Sequence, residues 1–216
     1  MNLNENSTEK QNLLNSLKNS GIEGYIIDAF SKVKREEFMP KELKQVAYKD
    51  TSQPIGHGQT ISQPYTIGLM LMMLNPKKSR NINKVLEIGS GSGYVLALMS
   101  EIYGKNVEIY GIERLTPIYE NSIKNLKNYS NVKVYNKNGF DGLKEHGPFD
   151  RILISAAIDE IPKVLVKQLN KNGVIVAPIY NPQKNCQDLV AYQKQGNKLV
   201  DIDIKRDFLF VPFINP

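Results

Sequence analysis

One cysteine, two histidines and no long apolar run set the first limits on this chain. Cys186 stands alone, which excludes an internal disulfide and a cysteine-rich metal knot. It follows a polar stretch and belongs to no redox motif. His57 and His146 have no metal-ligand company in the sequence, so no metal is expected. The longest apolar stretch, around residues 67–74, falls far short of the roughly 18 residues that a membrane-spanning helix needs. The opening MNLNENSTEK has neither a basic flank nor an apolar core, so no signal peptide is predicted. A cytoplasmic chain without membrane attachment is the expectation.

Acidic residues are the scarcer sign, with Asp+Glu at 22 against Lys+Arg at 28 and a net charge of +6. The surplus is mostly lysine scattered among Asn and Glu, and its densest run (Lys77, Lys78, Arg80) is brief. That pattern reads as a solvated surface, and nucleic acid is not the expected partner. Apolar content of 41% and charged content of 23% exclude disordered and low-complexity classes. A length of 216 residues predicts a single domain, with N-terminal helices and a loop over 1–75 and a sheet over 84–216.

The apolar pattern is helical at first. Leu13, Leu14 and Leu17 share a face, Gly21 stops that helix, and Ile22, Ile26, Ile27, Phe30 and Val33 continue in a second one, ended by Pro40. Residues 50–64, DTSQPIGHGQTISQP, hold too few apolar side chains for a core element and are predicted as a loop. A long irregular segment inside a domain is often functional. This one leads into an apolar helix over 66–74.

From residue 84 strand-like and helix-like segments alternate. Strands are predicted at 85–88, 107–112, 132–135, 152–154, 174–176, 189–192 and 208–211, with helices at 94–102, 118–126 (opened by Pro117) and 162–169. Near-continuous apolar strands separated by helices imply a mostly parallel, doubly wound α/β sheet. The helix-poor end implies an antiparallel C-terminal edge.

The strongest local signal is VLEIGSGSGYVLALM, residues 85–99, in which a buried strand runs through Gly89, Ser90, Gly91 and Gly93 into a helix. Glycines let the backbone take positive φ and approach a ligand closely, and the helix start offers free N–H groups. A dinucleotide fingerprint would place its third glycine at 94, where this chain has Tyr94. The tighter spacing suits a nucleoside without a pyrophosphate, and Glu87 within the strand end also departs from the dinucleotide pattern. The second strand ends in GIERL, which puts Glu113 where an acid would accept from both ribose hydroxyls. S-adenosylmethionine is the cofactor this combination predicts.

Taken together, PIGHGQTISQP, VLEIGSGSGY, FDRILISAAIDEIP, KNGVIVAPI and FVPF resemble the protein-L-isoaspartate O-methyltransferases, over roughly residues 35–212. GQTISQP is the most specific part, since other methyltransferases share the glycine loop without it. The resemblance implies a seven-stranded Rossmann-like methyltransferase sheet and methylation of the stray carboxylate of isoaspartyl residues in aged proteins. The ester would then close spontaneously to a succinimide, which begins repair. It also implies Ser62 as the active-site serine, holding the substrate carboxylate toward the methyl group. Glu87, Gly89, Ser90, Gly91, Gly93, Glu113, Arg114, Asn138 and Gly139 become the cofactor-binding candidates. Thr60, Ile61, Gln63, Val211 and Pro212 become the substrate-binding candidates, and a monomer is expected. A carboxylate nucleophile is already ionised at neutral pH, so no catalytic base is required.

Two positions depart from the family pattern. Lys137-Asn138-Gly139 replaces Gly-Asp-Gly, so Asn138 stands in for an acid that meets the adenine amino group; an amide accepts there without charge assistance. Ile179-Tyr180-Asn181 replaces a Val-Gly pair, and the bulk of Tyr180 is expected to narrow the substrate groove. These changes keep open a methyltransferase acting on a dedicated peptide, on RNA or on a small molecule, or a binding protein without activity, because fold does not fix function.

Overall fold

A computed structural model describes residues 3–75 and 81–214; the run Lys77, Lys78 and Arg80 lies outside the described residues. Helices α1 (Leu3–Asn19) and α2 (Gly24–Lys32) open the chain. Leu13, Leu14 and Leu17 are buried on α1, and Ile26, Ala29 and Phe30 on α2, the spacing of a core-facing stripe. Gly21 between the helices takes φ 88°.

Residues 50–64 are not simply a loop. They hold a hairpin, β1 (Gln53–Gly56) antiparallel to β2 (Gln59–Ile61). Gly56, His57 and Gly58 all take positive φ at its tip. The strands carry mostly exposed or half-buried residues, which is why hydrophobic patterning does not announce them. Helix α3 (Pro64–Leu74) follows, with Pro64 in its first turn and nearly every side chain buried. A helix apolar on all sides has to run through the interior.

The main sheet comprises β3 (Lys84–Ile88), β4 (Glu108–Glu113), β5 (Val132–Asn136), β6 (Phe149–Ile154), β7 (Leu169–Asn181), β8 (Cys186–Gln195) and β9 (Lys198–Phe208). Helices α4 (Tyr94–Tyr103), α5 (Thr116–Asn125) and α6 (Lys163–Gln168) join its parallel strands. The strand order is β5-β4-β3-β6-β7-β8-β9. β3 to β7 pair in parallel, and β8 and β9 are added antiparallel, as the helix-poor end predicts. Alternation with period 2 sends Val85, Ile109, Leu153 and Val174 to one apolar layer with α1 to α4, and Leu86, Ile112, Ile152 and Ile175 to the other with Leu143, Phe149 and Leu165.

Two boundaries need correction. β7 begins at Leu169 rather than 174, and the last strand spans Lys198–Phe208 rather than 208–211. β9 alternates Val200, Ile202 and Ile204 with charged residues, but those apolar side chains stay about 40% exposed at the sheet edge. The more apolar 208–211 pattern belongs to a segment that crosses the strand ends. The order in which strands are added reverses between β3 and β6, so their carboxyl ends open the crevice where ligands of such sheets bind.

Candidate active site

After Ile88 the chain turns sharply, and both Gly89 N–H and Ser90 N–H donate to the Ile112 carbonyl, at 2.9 and 3.0 Å. Gly89, Gly91 and Gly93 take φ of 78°, 51° and 86°, a run that L side chains resist. A Cβ on Gly93 would stand 2.7 Å from Leu126 Cδ1, and one on Gly139 would stand 2.2 Å from Ile88 Cγ2. Backbone therefore forms the floor of the crevice. Glu113, at the end of β4, locks it: one carboxylate oxygen accepts from Gly91 N–H at 3.0 Å and the other from Leu115 N–H at 2.9 Å. Asn138 Oδ1 accepts from Phe140 N–H at 2.9 Å and caps a short turn at Gly139–Asp141.

The resulting cleft brings together Gly89, Gly91, Glu113, Arg114, Asn138 and Gly139, six of the cofactor-binding candidates. Ile88, Ile112, Leu115 and Ala156 complete its inner wall, and Thr60, Pro212, Phe213 and Ile214 its outer one. Glu87, Ser90 and Gly93 are buried behind this surface and do not line it. Glu87 Oε1 accepts from the Ser155 hydroxyl at 2.8 Å, while Oε2 has no partner among the described residues. Burial pushes its carboxyl up from 4.5 to about 8; the Ser155 bond opposes that rise and the nearby Glu113 charge adds to it.

A groove of about 1070 Å³ adjoins the cleft, lined by Thr60, Ser62, Gln63, Tyr65 and the 204–211 segment. Its size stands at the upper end of small-ligand pockets. Val211 lies on its wall, whereas Pro212 lines the cleft. Ile61 is not a wall residue: it is 4% exposed and packs into the core. The 208–214 segment is strapped across the strand ends. Ala157 N–H donates to the Val211 carbonyl and Phe213 N–H to the Ala157 carbonyl, both at 2.8 Å. Phe210 N–H donates to the Gln187 side chain at 2.7 Å.

A family model for protein-L-isoaspartate(D-aspartate) O-methyltransferase matches residues 8–216. The chain belongs to that family. It is 37% identical to the protein-L-isoaspartate O-methyltransferase of Methanococcoides burtonii over 204 residues, covering 94% of this chain and 98% of the relative. It is 39% identical to that of Fervidobacterium nodosum over 202 residues, covering 93% and 98%. Among solved structures, a beta-aspartate methyltransferase from Plasmodium falciparum in complex with S-adenosyl-L-homocysteine superposes with a TM-score of 0.79 at 28% identity, covering 94% of this chain and 97% of that one.

Within this isoaspartate methyltransferase fold, the other conspicuous residues sit elsewhere. His57 is exposed at the hairpin tip. The His146 ring stacks on Tyr110 at 4.7 Å, and its Nε2 is 2.6 Å from the Tyr135 hydroxyl. The Cys186 thiol donates to Asp207 at 3.6 Å. Tyr180 is not among the residues that line the Ser62 groove: it is 40% exposed and lines an adjoining cleft with Phe140, Asp159 and Glu160, which meets the groove at Phe210. Phe213 and Ala156 fall within FVPF and FDRILISAAIDEIP, but neither motif marks them as cleft residues, and Ile214 lies outside both; only the strap and the end of β6 bring the three to the cleft.

Proposed function

We propose that this chain transfers the methyl group of S-adenosylmethionine to the free carboxylate of L-isoaspartyl residues in proteins, initiating their repair. The observation that carries this reading is a shared border. Thr60 lines both the glycine-loop cleft and the Ser62 groove, and the consecutive strap residues Val211 and Pro212 line one each. A donor in the cleft and an acceptor at Ser62 would meet there.

The cleft residues fit an adenosyl group. Ile88, Ile112 and Leu115 offer apolar walls for a purine. Glu113 is the acceptor a ribose diol requires, with Arg114 on the rim. Asn138 and Gly139 would meet the adenine edge, and Gly89 and Gly91 leave the space that side chains would fill. Glu87, Ser90 and Gly93 hold this loop from behind. When bound, S-adenosylmethionine supplies an electrophilic methyl group on a sulfonium sulfur.

On the acceptor side the substrate carboxylate arrives ionised, and no residue has to remove a proton. Ser62 would hold it by hydrogen bonding, with Thr60 and Gln63 beside it and Val211 excluding water. Orientation of this kind is worth about 7–11 kcal/mol when reacting atoms are well aligned. The methyl ester then closes to a succinimide without further help from the protein. The reading includes a cytoplasmic monomer that acts on polypeptide and uses no metal.

Radiolabelled methyl transfer to paired peptides that differ only in isoaspartyl or aspartyl linkage tests it. Label on the isoaspartyl peptide alone, released as methanol by base, is the expected outcome. Absence of label with cofactor binding intact would redirect the reading to a dedicated peptide or RNA.

A further inference from the structure

Arg35 is the most deeply buried cation among the described residues, at 0% exposure, and nothing in the methyl-transfer reading uses it. It lies in a short turn at Arg35–Phe38. Its Nη2 reaches the Thr51 carbonyl at 3.4 Å and the Ile61 carbonyl at 3.5 Å, long contacts beside the roughly 2.7–3.2 Å of an ordinary N–H···O bond. Those two carbonyls flank the β1–β2 hairpin at its base. Its guanidinium carbon stands 5.3 Å from the centroid of Tyr94, the first residue of α4 after the glycine loop. Among the described residues Nε and Nη1 have no partner. Burial lowers its pKa to about 10, which leaves it protonated at neutral pH, and Tyr94 and Asp50 oppose the shift.

A buried cation with two orphaned donors is an expensive way to fill a core; an aliphatic side chain of the same volume often serves stability better. Its two carbonyl partners give the guanidinium another use. The Ile61–Ser62 peptide is trans, so its C=O and N–H point in opposite directions. With the Ile61 carbonyl turned inward to Arg35, the Ser62 N–H points outward. Among the described residues that N–H meets no backbone acceptor, and Ser62 lines the groove.

We propose that Arg35 is a positioning residue: by backing the Ile61 carbonyl, which the hairpin also engages opposite Gln53, it helps to present the Ser62 N–H alongside the Ser62 hydroxyl as a two-donor cradle for the substrate carboxylate. This rests on the reading of Ser62 given above. The main-chain donor would bind either carboxylate oxygen without cost in side-chain entropy, as preorganised donors do in other acyl-group sites.

The first test uses the unmodified chain. With S-adenosylhomocysteine present, the 15N-resolved amide signal of Ser62 should move downfield when an isoaspartyl peptide is added, and stay still with the aspartyl control. An unmoved signal at saturating peptide overturns the cradle. The second test compares Arg35→Met and Arg35→Lys. Loss of aim at the carboxylate should lower kcat/KM for the isoaspartyl peptide about 30-fold in Arg35→Met, with S-adenosylhomocysteine affinity unchanged within about threefold. Arg35→Lys keeps the charge beside Tyr94 but offers no planar fork to two carbonyls, and should recover only part of the loss. A parallel fall in peptide turnover and cofactor affinity would mark Arg35 as purely structural and overturn the proposal. So would unchanged peptide turnover in the folded variant. Ser62→Ala in the same assay separates the two readings: undiminished turnover there sinks the role of Ser62 itself, whereas impaired turnover with a silent Arg35 sinks only the clamp.

Discussion

Between Ile88 and Leu115 the cleft is walled by neighbouring strands of one sheet, and its key contacts are backbone ones. Gly89, Ser90 and Gly91 are fixed by the Ile112 carbonyl and the Glu113 carboxylate. The wall around Ser62 is assembled differently, from a hairpin near the start of the chain and a strap near its end. Beyond the pairing of the hairpin with itself and the two Ala157 bonds to the strap, it is held by side-chain ties: the Arg35 contacts to Thr51 and Ile61, Asp50 accepting from Tyr65 N–H at 2.8 Å, and Gln187 accepting from Phe210 N–H. The contrast teaches which side tolerates change. A nucleoside is constant and can be met by rigid backbone, while isoaspartyl linkages occur in many sequence contexts and need an open groove with few fixed donors.

If that division holds, damage to the glycine side should appear as lost cofactor affinity and damage to the hairpin side as lost turnover. The largest effect is expected from Glu113→Ala, which removes both charge-assisted ties to Gly91 and Leu115. S-adenosylhomocysteine affinity, measured by calorimetry, should fall about 100-fold; unchanged affinity would refute the assignment of Glu113 to the ribose. Gly139→Ala forces a Cβ against Ile88 and should cost about 1–3 kcal/mol of stability, read from denaturant midpoints.

The glycine side is legible in the amino-acid sequence because its constraint is local. Positive φ at three glycines and an acid at the next strand end leave a mark in consecutive residues. The hairpin at 53–61 escapes hydrophobic patterning because its strands bury almost nothing. The apolar residues at 208–211 outweigh the half-exposed Val200–Ile204 alternation, which draws the predicted last strand away from β9. Arg35 gives no signal at all: in the sequence it is one more basic residue, and only packing against Tyr94 and two distant carbonyls sets it apart. Tyr180 teaches the converse, since adjacency to a motif in sequence does not bring it to the groove.

Glu87 offers a smaller test on the glycine side. Its folded-state pKa of about 8 lies above the ordinary 4.5, so the folded chain keeps a proton that the unfolded chain has released within that window. Stability should therefore fall as pH rises from about 5 to 8, by at most about 1.4 kcal/mol per unit from this group. Glu87→Gln should flatten that slope in cofactor-free protein; an unchanged slope would show that Glu87 is ionised in the fold. The smallest effect is expected from Asn138→Asp. An acid can still cap Phe140 N–H and adds charge assistance toward an adenine amino group, so cofactor affinity should rise about threefold, and a fall would contradict the placement of Asn138 at the base.

The division between the two walls is tested most directly by Ser62→Ala, assayed with an isoaspartyl peptide while S-adenosylhomocysteine affinity is measured on the same preparation. The account predicts that kcat/KM drops about 100-fold without vanishing, because the nucleophile belongs to the substrate, and that cofactor affinity does not move. Wild-type turnover, or an equal loss of cofactor affinity, would contradict it.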